Sequence, residues 1–240
     1  ILLIIMASKK HTIRLDLAKG FRFNRAIIEN LIRIGGPAAI EQVSFRVGVV
    51  FFIKIVSGLG TVVYATHQIA LNILSLSFAP GQAFGIAAST LVGRSLGEER
   101  IDRADAFIKE SNRLAIFSAL FFGAIFFFFG PRLTALYTED TSVIEESVNI
   151  MRIMAFIQPF QGSAFAFSGG LRGAGDTVST LIVTMLGVVV VRLSVAYILI
   201  NIVGIGLIGA WIAMFLDQFV RWLGIVIRYR TGKWKYIKLK

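Results

Sequence analysis

The chain has 240 residues, of which 56% are hydrophobic and only 16% charged, and its mean hydropathy is +0.76. Soluble domains average about 45–50% apolar and about 25% charged residues, so this composition points to a bilayer rather than to water as the solvent. The absence of cysteine excludes a disulfide framework and any Cys-based metal site. The formal net charge of +11 lies between and after the apolar blocks, which is the positive-inside pattern of a membrane protein more than the patch of a nucleic-acid binder.

Residues 1–8 read as the tail of a preceding transmembrane helix. The run Ile1–Met6 is too short to span and has no basic region before it, so it is not an ordinary signal peptide. The expectation is therefore that the chain is the later part of a longer protein. Residues 9–33 form a basic cytoplasmic linker. Its amphipathic patches, with Ile13, Leu15, Leu17 and Phe21 set among Arg14, Lys19 and Arg22, suit either a segment lying along the membrane surface or a solvated loop. Six apolar segments follow, at Pro37–Ser57, Thr61–Leu91, Leu114–Leu136, Val148–Gly170, Val178–Val203 and Ile205–Ile227. Each has at least the ~20 residues that cross a bilayer core at 1.5 Å per residue. The fold class predicted is all-α: a six-transmembrane-helix lobe over residues 34–228, followed by a basic cytoplasmic tail at 229–240. Pro80-Gly81 is predicted to interrupt the second helix, and Pro159 to kink the fourth.

Charge sets the topology. Most of the 25 Lys and Arg residues fall in the opening stretch, in the loop after the second helix and in the tail, with Arg172 after the fourth helix. Arg132, Arg152 and the acidic Glu139-Asp140 and Glu145-Glu146 fall on the other side. Both ends of the lobe are thus placed in the cytoplasm of a multi-pass plasma-membrane protein.

Ionisable groups inside a bilayer are costly, so each is a functional candidate. Glu41 lies roughly 6 Å and Arg46 roughly 14 Å into the first helix, while Lys54 reaches its outer end as an interface anchor. Arg192 and Asp217 fall roughly 16 and 18 Å below the outer surface on sequential antiparallel helices, so a buried ion pair is expected, with a structural or a transport role. Gln42, Asn72, Gln158 and Gln161 suit either helix packing or a polar, water-filled interior. His67 is expected as a helix–helix hydrogen-bonding residue rather than a metal ligand. Asp176 either caps the fifth helix or joins Glu41 as an acidic pair that binds a proton or Na⁺. The glycines of Gly169–Gly175 allow a sharp turn and close helix approach. There is no G-x-x-x-x-G-K-S/T phosphate loop and no enzyme motif, so neither ATP hydrolysis nor a cofactor is expected of this chain.

Several stretches carry a family resemblance: Gly36-Pro37-Ala38-Ala39-Ile40-Glu41-Gln42, Ala65-Thr66-His67-Gln68-Ile69-Ala70, Ala88 to Gly97, Leu171-Arg172-Gly173-Ala174-Gly175-Asp176-Thr177, Val191-Arg192-Leu193 and Gly232-Lys233-Trp234. In this order and spacing the chain resembles the C-terminal half of the multidrug and toxic compound extrusion (MATE) transporters, close to their DinF-like prokaryotic branch. The resemblance implies one lobe of a two-lobe transporter whose N-terminal lobe is its partner. It also implies alternating access and export of small amphipathic drugs or metabolites in exchange for H⁺ or Na⁺. Glu41 and Asp176 match the cation-coupling carboxylates of some members; in others the coupling acids lie in the first lobe. A flippase for lipid-linked precursors and a non-transporting membrane scaffold are the alternatives.

Overall fold

The computed structural model describes residues 25–237, and among these the regular elements are all helical. The expectations for residues 1–8, for residues 9–24 and for 238–240 lie outside the described residues. Six long helices follow one another: α1 (Arg25–Ser57), α2 (Thr61–Gly97), α3 (Ile101–Ala135), α4 (Thr141–Gly173), α5 (Thr177–Ile202) and α6 (Gly206–Arg230). A short 3₁₀ turn, Lys233–Tyr236, closes the described chain.

The six helices stand in the expected order, but their ends differ from the apolar limits. α1 begins at Arg25 instead of Pro37, so Pro37 lies inside it. The stretch before the proline already has helical spacing in Ile28, Leu31 and Ile32. A single proline removes one backbone bond without forcing the helix to end. α2 likewise runs unbroken past Pro80, and α4 past Pro159, which corrects the expected interruption at Pro80-Gly81. Gly81 serves packing there: a Cβ on it would lie 2.9 Å from the Phe165 ring. α3 starts earlier than its apolar segment, with an amphipathic opening that carries Asp102, Asp105 and Lys109.

Four helices, α2, α3, α5 and α6, are long and apolar enough to cross a membrane by length and composition. α4 is more polar because it is the centre of the bundle. It packs most extensively against α2 and α3 and then against α6, and it buries Ser147, Gln158, Gln161 and Ser163 within protein. Small residues bring its backbone close to its neighbours. A Cβ on Gly169 would fall 2.0 Å from the Gly85 carbonyl oxygen, and one on Gly173 would fall 2.2 Å from that of Ser89. α1 is the edge helix and leans mainly on α5.

α5 is not a uniform α-helix. Its α-helical start, Thr177–Met185, gives way to π-helical winding over Leu186–Arg192 and again over Ile198–Ile202. Such insertions often mark functional positions.

Two apolar clusters hold the bundle. One, near the α1–α2 turn, includes Phe52, Ile73, Leu74, Phe126, Met154 and Trp211. The other, at the opposite, basic end, gathers Val92, Ile108, Leu171, Ile225 and Trp234. Trp234 reaches it because Gly232 turns the chain back with φ +67°. Its indole then stacks on Tyr229 and donates to the Tyr229 carbonyl at 3.1 Å. Asp140 starts α4 by accepting from the Ser142 backbone N–H at 2.9 Å.

Candidate functional site

Helices α1, α4, α5 and α6 bring together a line of charges that runs from a partly exposed arginine to a buried ion pair. At the basic end, Glu41 of α1 is almost fully buried. Its Oε1 accepts from the Arg172 guanidinium at 2.5 Å and from the Thr184 hydroxyl at 2.9 Å, and its Oε2 accepts from the Thr180 hydroxyl at 3.1 Å. Thr180 and Thr184 are four residues apart on α5, hence on one helix face. Arg172 comes from the last turn of α4, and its side chain is 37% exposed.

Deeper in the bundle, Arg192 of α5 and Asp217 of α6 form the pair expected from their depths. Arg192 Nε donates to Asp217 Oδ2 at 3.0 Å, and its Nη2 donates to the same oxygen. A third member joins them. Arg221 Nε donates to Asp217 Oδ1 at 2.8 Å and Nη2 to Oδ2 at 3.2 Å, so the aspartate is held by two arginines. Arg221 also donates to Gln218 Oε1. The Phe45 ring of α1 lies against both guanidiniums, at 6.0 Å from Arg192 and 5.8 Å from Arg221, within cation–π range. The result is a series of charges in two groups, Arg172 with Glu41, then Arg221 and Arg192 with Asp217.

Gly187, at the start of the first π-helical segment, makes room for this series. A Cβ there would lie 2.5 Å from Asp217 Oδ1 and 2.3 Å from Arg221 Cγ.

Asp176 occupies the N-cap position of α5, but its side chain makes no capping bond. Its Oδ2 accepts from Arg228 Nε at 2.6 Å instead, which corrects the capping expectation: the nearby guanidinium outcompetes the backbone N–H groups. Each of the two candidate coupling carboxylates thus has an arginine of its own.

The remaining candidates divide by burial. His67 is fully buried between the rings of Phe52 and Trp211, each centroid 5.7 Å away. Among the described residues neither of its ring nitrogens has a hydrogen-bond partner, so aromatic packing replaces the helix–helix hydrogen bond expected for it. Gln158 and Gln161 are buried and line a small pocket between α2, α3 and α4 with Ser77 and Ser118; Gln158 Nε2 and Gln161 Oε1 are unpartnered there. Gln42, Arg46 and Asn72 are exposed on the lobe and stand outside the buried series. A charged group at such depth is not stable against lipid, so these positions suit a face covered by protein or water.

Sequence reasoning missed Arg172 as the partner of Glu41, the two threonines, Arg228 and Arg221. Arg221 had a signal, since it stands four residues after Asp217 on one helix. The others depend on how α1 meets α5 and on where the α4–α5 turn points, which no local spacing encodes.

The comparisons agree with this architecture. The MatE family profile matches residues 37–198. A probable multidrug resistance protein NorM of Thermotoga maritima is 33% identical over 207 residues, covering 86% of this chain and 45% of that protein. An uncharacterized transporter, YisQ of Bacillus subtilis, is 24% identical over 98% of this chain and 51% of its own length. Among solved structures, a multidrug resistance MATE family transporter in an outward-facing conformation superposes with a TM-score of 0.86 at 21% identity, covering 98% of this chain and 54% of that one. A MOP superfamily transporter from Pyrococcus furiosus, described by the reverse polarity of its binding pocket, superposes at 0.84 with 21% identity, over 97% of this chain and 53% of its own. The chain spans about half the length of the curated relatives it matches. With its helical lobe and its profile match over most of that lobe, the chain belongs to the MatE family.

Proposed function

We propose that this chain is one lobe of a cation-coupled antiporter that exports amphipathic drugs or metabolites in exchange for H⁺ or Na⁺. The lobe works with a companion lobe of the same transporter. Both ends of the lobe lie on the cytoplasmic side of the cell membrane, in line with the positive-inside rule. The two lobes rock about a central cavity, and ion binding biases one orientation.

One observation carries this reading: a nearly fully buried carboxylate, Glu41, meets two hydroxyls and a partly exposed arginine in a membrane lobe. A carboxylate in that setting can exchange one cationic partner for another as access changes. Asp176, four residues before Thr180, assists from the same turn. The test is Glu41→Gln in the assembled transporter, reconstituted in proteoliposomes. Efflux of a fluorescent organic cation driven by a pH or Na⁺ gradient collapses while the substrate still binds. Unchanged gradient-driven efflux removes Glu41 from coupling.

A second reading is favoured by the charges around Asp217. Two arginines share one aspartate, so the buried cluster around Asp217 carries excess positive charge. That balance suits a substrate with an anionic headgroup, as in a flippase for lipid-linked precursors. Transport assays with matched anionic and cationic amphiphiles decide between the two readings.

A further inference from the structure

We infer that Arg172 is a tethered competitor for the coupling cation: its guanidinium occupies the place at Glu41 that the exchanged ion takes, so ion loading and Arg172 release are one exchange. The inference rests on the coupling role proposed for Glu41 and adds the element that resets the site.

The argument starts from the unequal burial of the two partners. The Glu41 side chain is 5% exposed, whereas that of Arg172 is 37% exposed. The carboxylate is therefore fixed inside protein, while the arginine reaches it from the open side. Taking Arg172 away would leave a buried carboxylate with only two neutral hydroxyls, Thr180 and Thr184. Such a charge is costly without a cation. Arg172 and the Thr184 hydroxyl already share Glu41 Oε1, so an ion that takes both carboxylate oxygens displaces the guanidinium from Oε1.

The hydroxyls suit either occupant. They now donate to the carboxylate, and each can rotate to turn its lone pairs toward a metal ion. Thr180 also has an alternative acceptor, the Thr177 carbonyl at 2.9 Å, which keeps its proton bonded when it turns. Na⁺ at this point would meet both Glu41 oxygens and both Thr hydroxyl oxygens, a hard-oxygen set of the kind that alkali and alkaline-earth ions take.

The exchange needs only side-chain motion. The backbone around Arg172 is locked: Leu171 and Ala174 are fully buried, Gly173 presses on the Ser89 carbonyl, and Gly170 lies against Ile108. Arg172 itself has a long flexible side chain and no second ion-pair partner among the described residues. A rotamer change therefore releases Glu41 without moving α4. Charge balance holds at each stage, since one cation replaces another at one carboxylate.

The absence of native cysteine in this chain gives a direct test. Arg172→Cys is introduced into the assembled transporter, and any cysteine of the companion lobe is removed. Proteoliposome efflux of ethidium is then titrated against Na⁺ at fixed pH, and against pH without Na⁺. Removing the tethered charge lowers the half-saturating cation concentration by roughly two- to tenfold, between the range of an exposed and that of a buried ion pair. Modifying the same folded protein with an aminoethyl methanethiosulfonate restores a positive charge and brings the value back up. A negatively charged sulfonatoethyl reagent does not.

A rise in half-saturation in Arg172→Cys, or equal values with all three side chains, overturns the inference, because a supporting residue would weaken ion binding when lost. If Glu41→Gln abolishes coupling while the Arg172 variants match the wild type, the coupling reading stands and the competitor role falls. If Glu41→Gln couples normally, the coupling reading itself falls.

Discussion

Arg192 and Asp217, on the antiparallel neighbours α5 and α6, form an ion pair buried on every side, and Arg221 closes on the same carboxylate from the next turn of α6. Two cations against one anion make the members unequal. Asp217→Leu leaves two buried guanidiniums without a counterion and costs about 3–5 kcal/mol. Arg192→Leu leaves Asp217 with Arg221 and costs less, about 1–3 kcal/mol. The double variant falls between them, because Arg221 still lacks its acid. Thermal or denaturant unfolding of the purified transporter ranks the three. Equal losses for the two single variants would show that Arg221 gives Asp217 no support.

Two aspartates sit at helix starts and do different work. Asp140 is a true cap, bonded to the Ser142 hydroxyl and N–H, and the Ser142 hydroxyl is the first cause of its lowered pKa. A carboxylate whose folded pKa is depressed contributes stability above the unfolded value of about 3.9 and loses it as pH falls through the lower folded value. Asp140→Ser therefore retains the helix start, and the loss in Asp140→Ala shrinks below about pH 4. Asp176 bonds to Arg228 and not to its helix. Asp176→Ser is accordingly no better than Asp176→Ala. Melting curves of the four variants at pH 7 and at acid pH separate the two roles.

The contact between Gly169 and Gly85 joins backbone to backbone, so no side chain can yield there. Gly169→Ala forces α4 away from α2 and costs about 3 kcal/mol, the upper part of the overpacking range. Gly35, inside α1 with nothing near it, behaves in the opposite way. Gly35→Ala raises helix propensity and stabilises by roughly 0.5–1 kcal/mol. The same melting measurement reads both, and a tolerated Gly169→Ala would mean that α2 and α4 are free to separate.

The Trp234 turn is held by stacking on Tyr229, by its indole bond to the chain, and by Tyr229 itself, whose hydroxyl donates to Asp105 at 2.6 Å. Trp234→Ala empties a fully buried site and costs about 3–5 kcal/mol locally. The expected outcome is faster hydrogen exchange and proteolysis confined to the chain after Arg230, with the bundle unchanged. Slow cleavage at the wild-type rate would show that this turn is anchored by other groups.

The helix count, the order of the helices and the pairing of Arg192 with Asp217 were legible in the sequence. Apolar length sets the first two, and equal depth on antiparallel neighbours sets the third. The extended starts of α1 and α3 were not legible from apolar length, because Arg25–Arg33 and Ile101–Arg113 are polar enough to look like loops. The partners of Glu41 could not be read either. Arg172, Thr180 and Thr184 lie more than a hundred residues away in the chain, and their meeting depends on the angle at which α1 crosses α5. Asp176 shows the converse: its position satisfied the rule for a helix cap, and a distant arginine overrode the local rule.

Along α5 the buried side chains Thr180, Thr184, Val188, Arg192, Ala196 and Ile200 recur at every fourth residue. An α-helix advances roughly 100° per residue, so a strict four-residue repeat would slip by roughly 40° each time and by roughly 200° from Thr180 to Ile200. In a uniform α-helix the threonines would face Glu41 while Ile200 faced lipid. The wider π-helical turns hold more residues per turn and take that slip back. The two irregular segments act as a vernier that keeps both ends of α5 aimed at the same seam. Deleting one residue between Leu186 and Arg192 would set Thr184 and Arg192 seven residues apart, roughly 20° short of two full turns, so a uniform α-helix would then keep both on the seam without the π-helical winding.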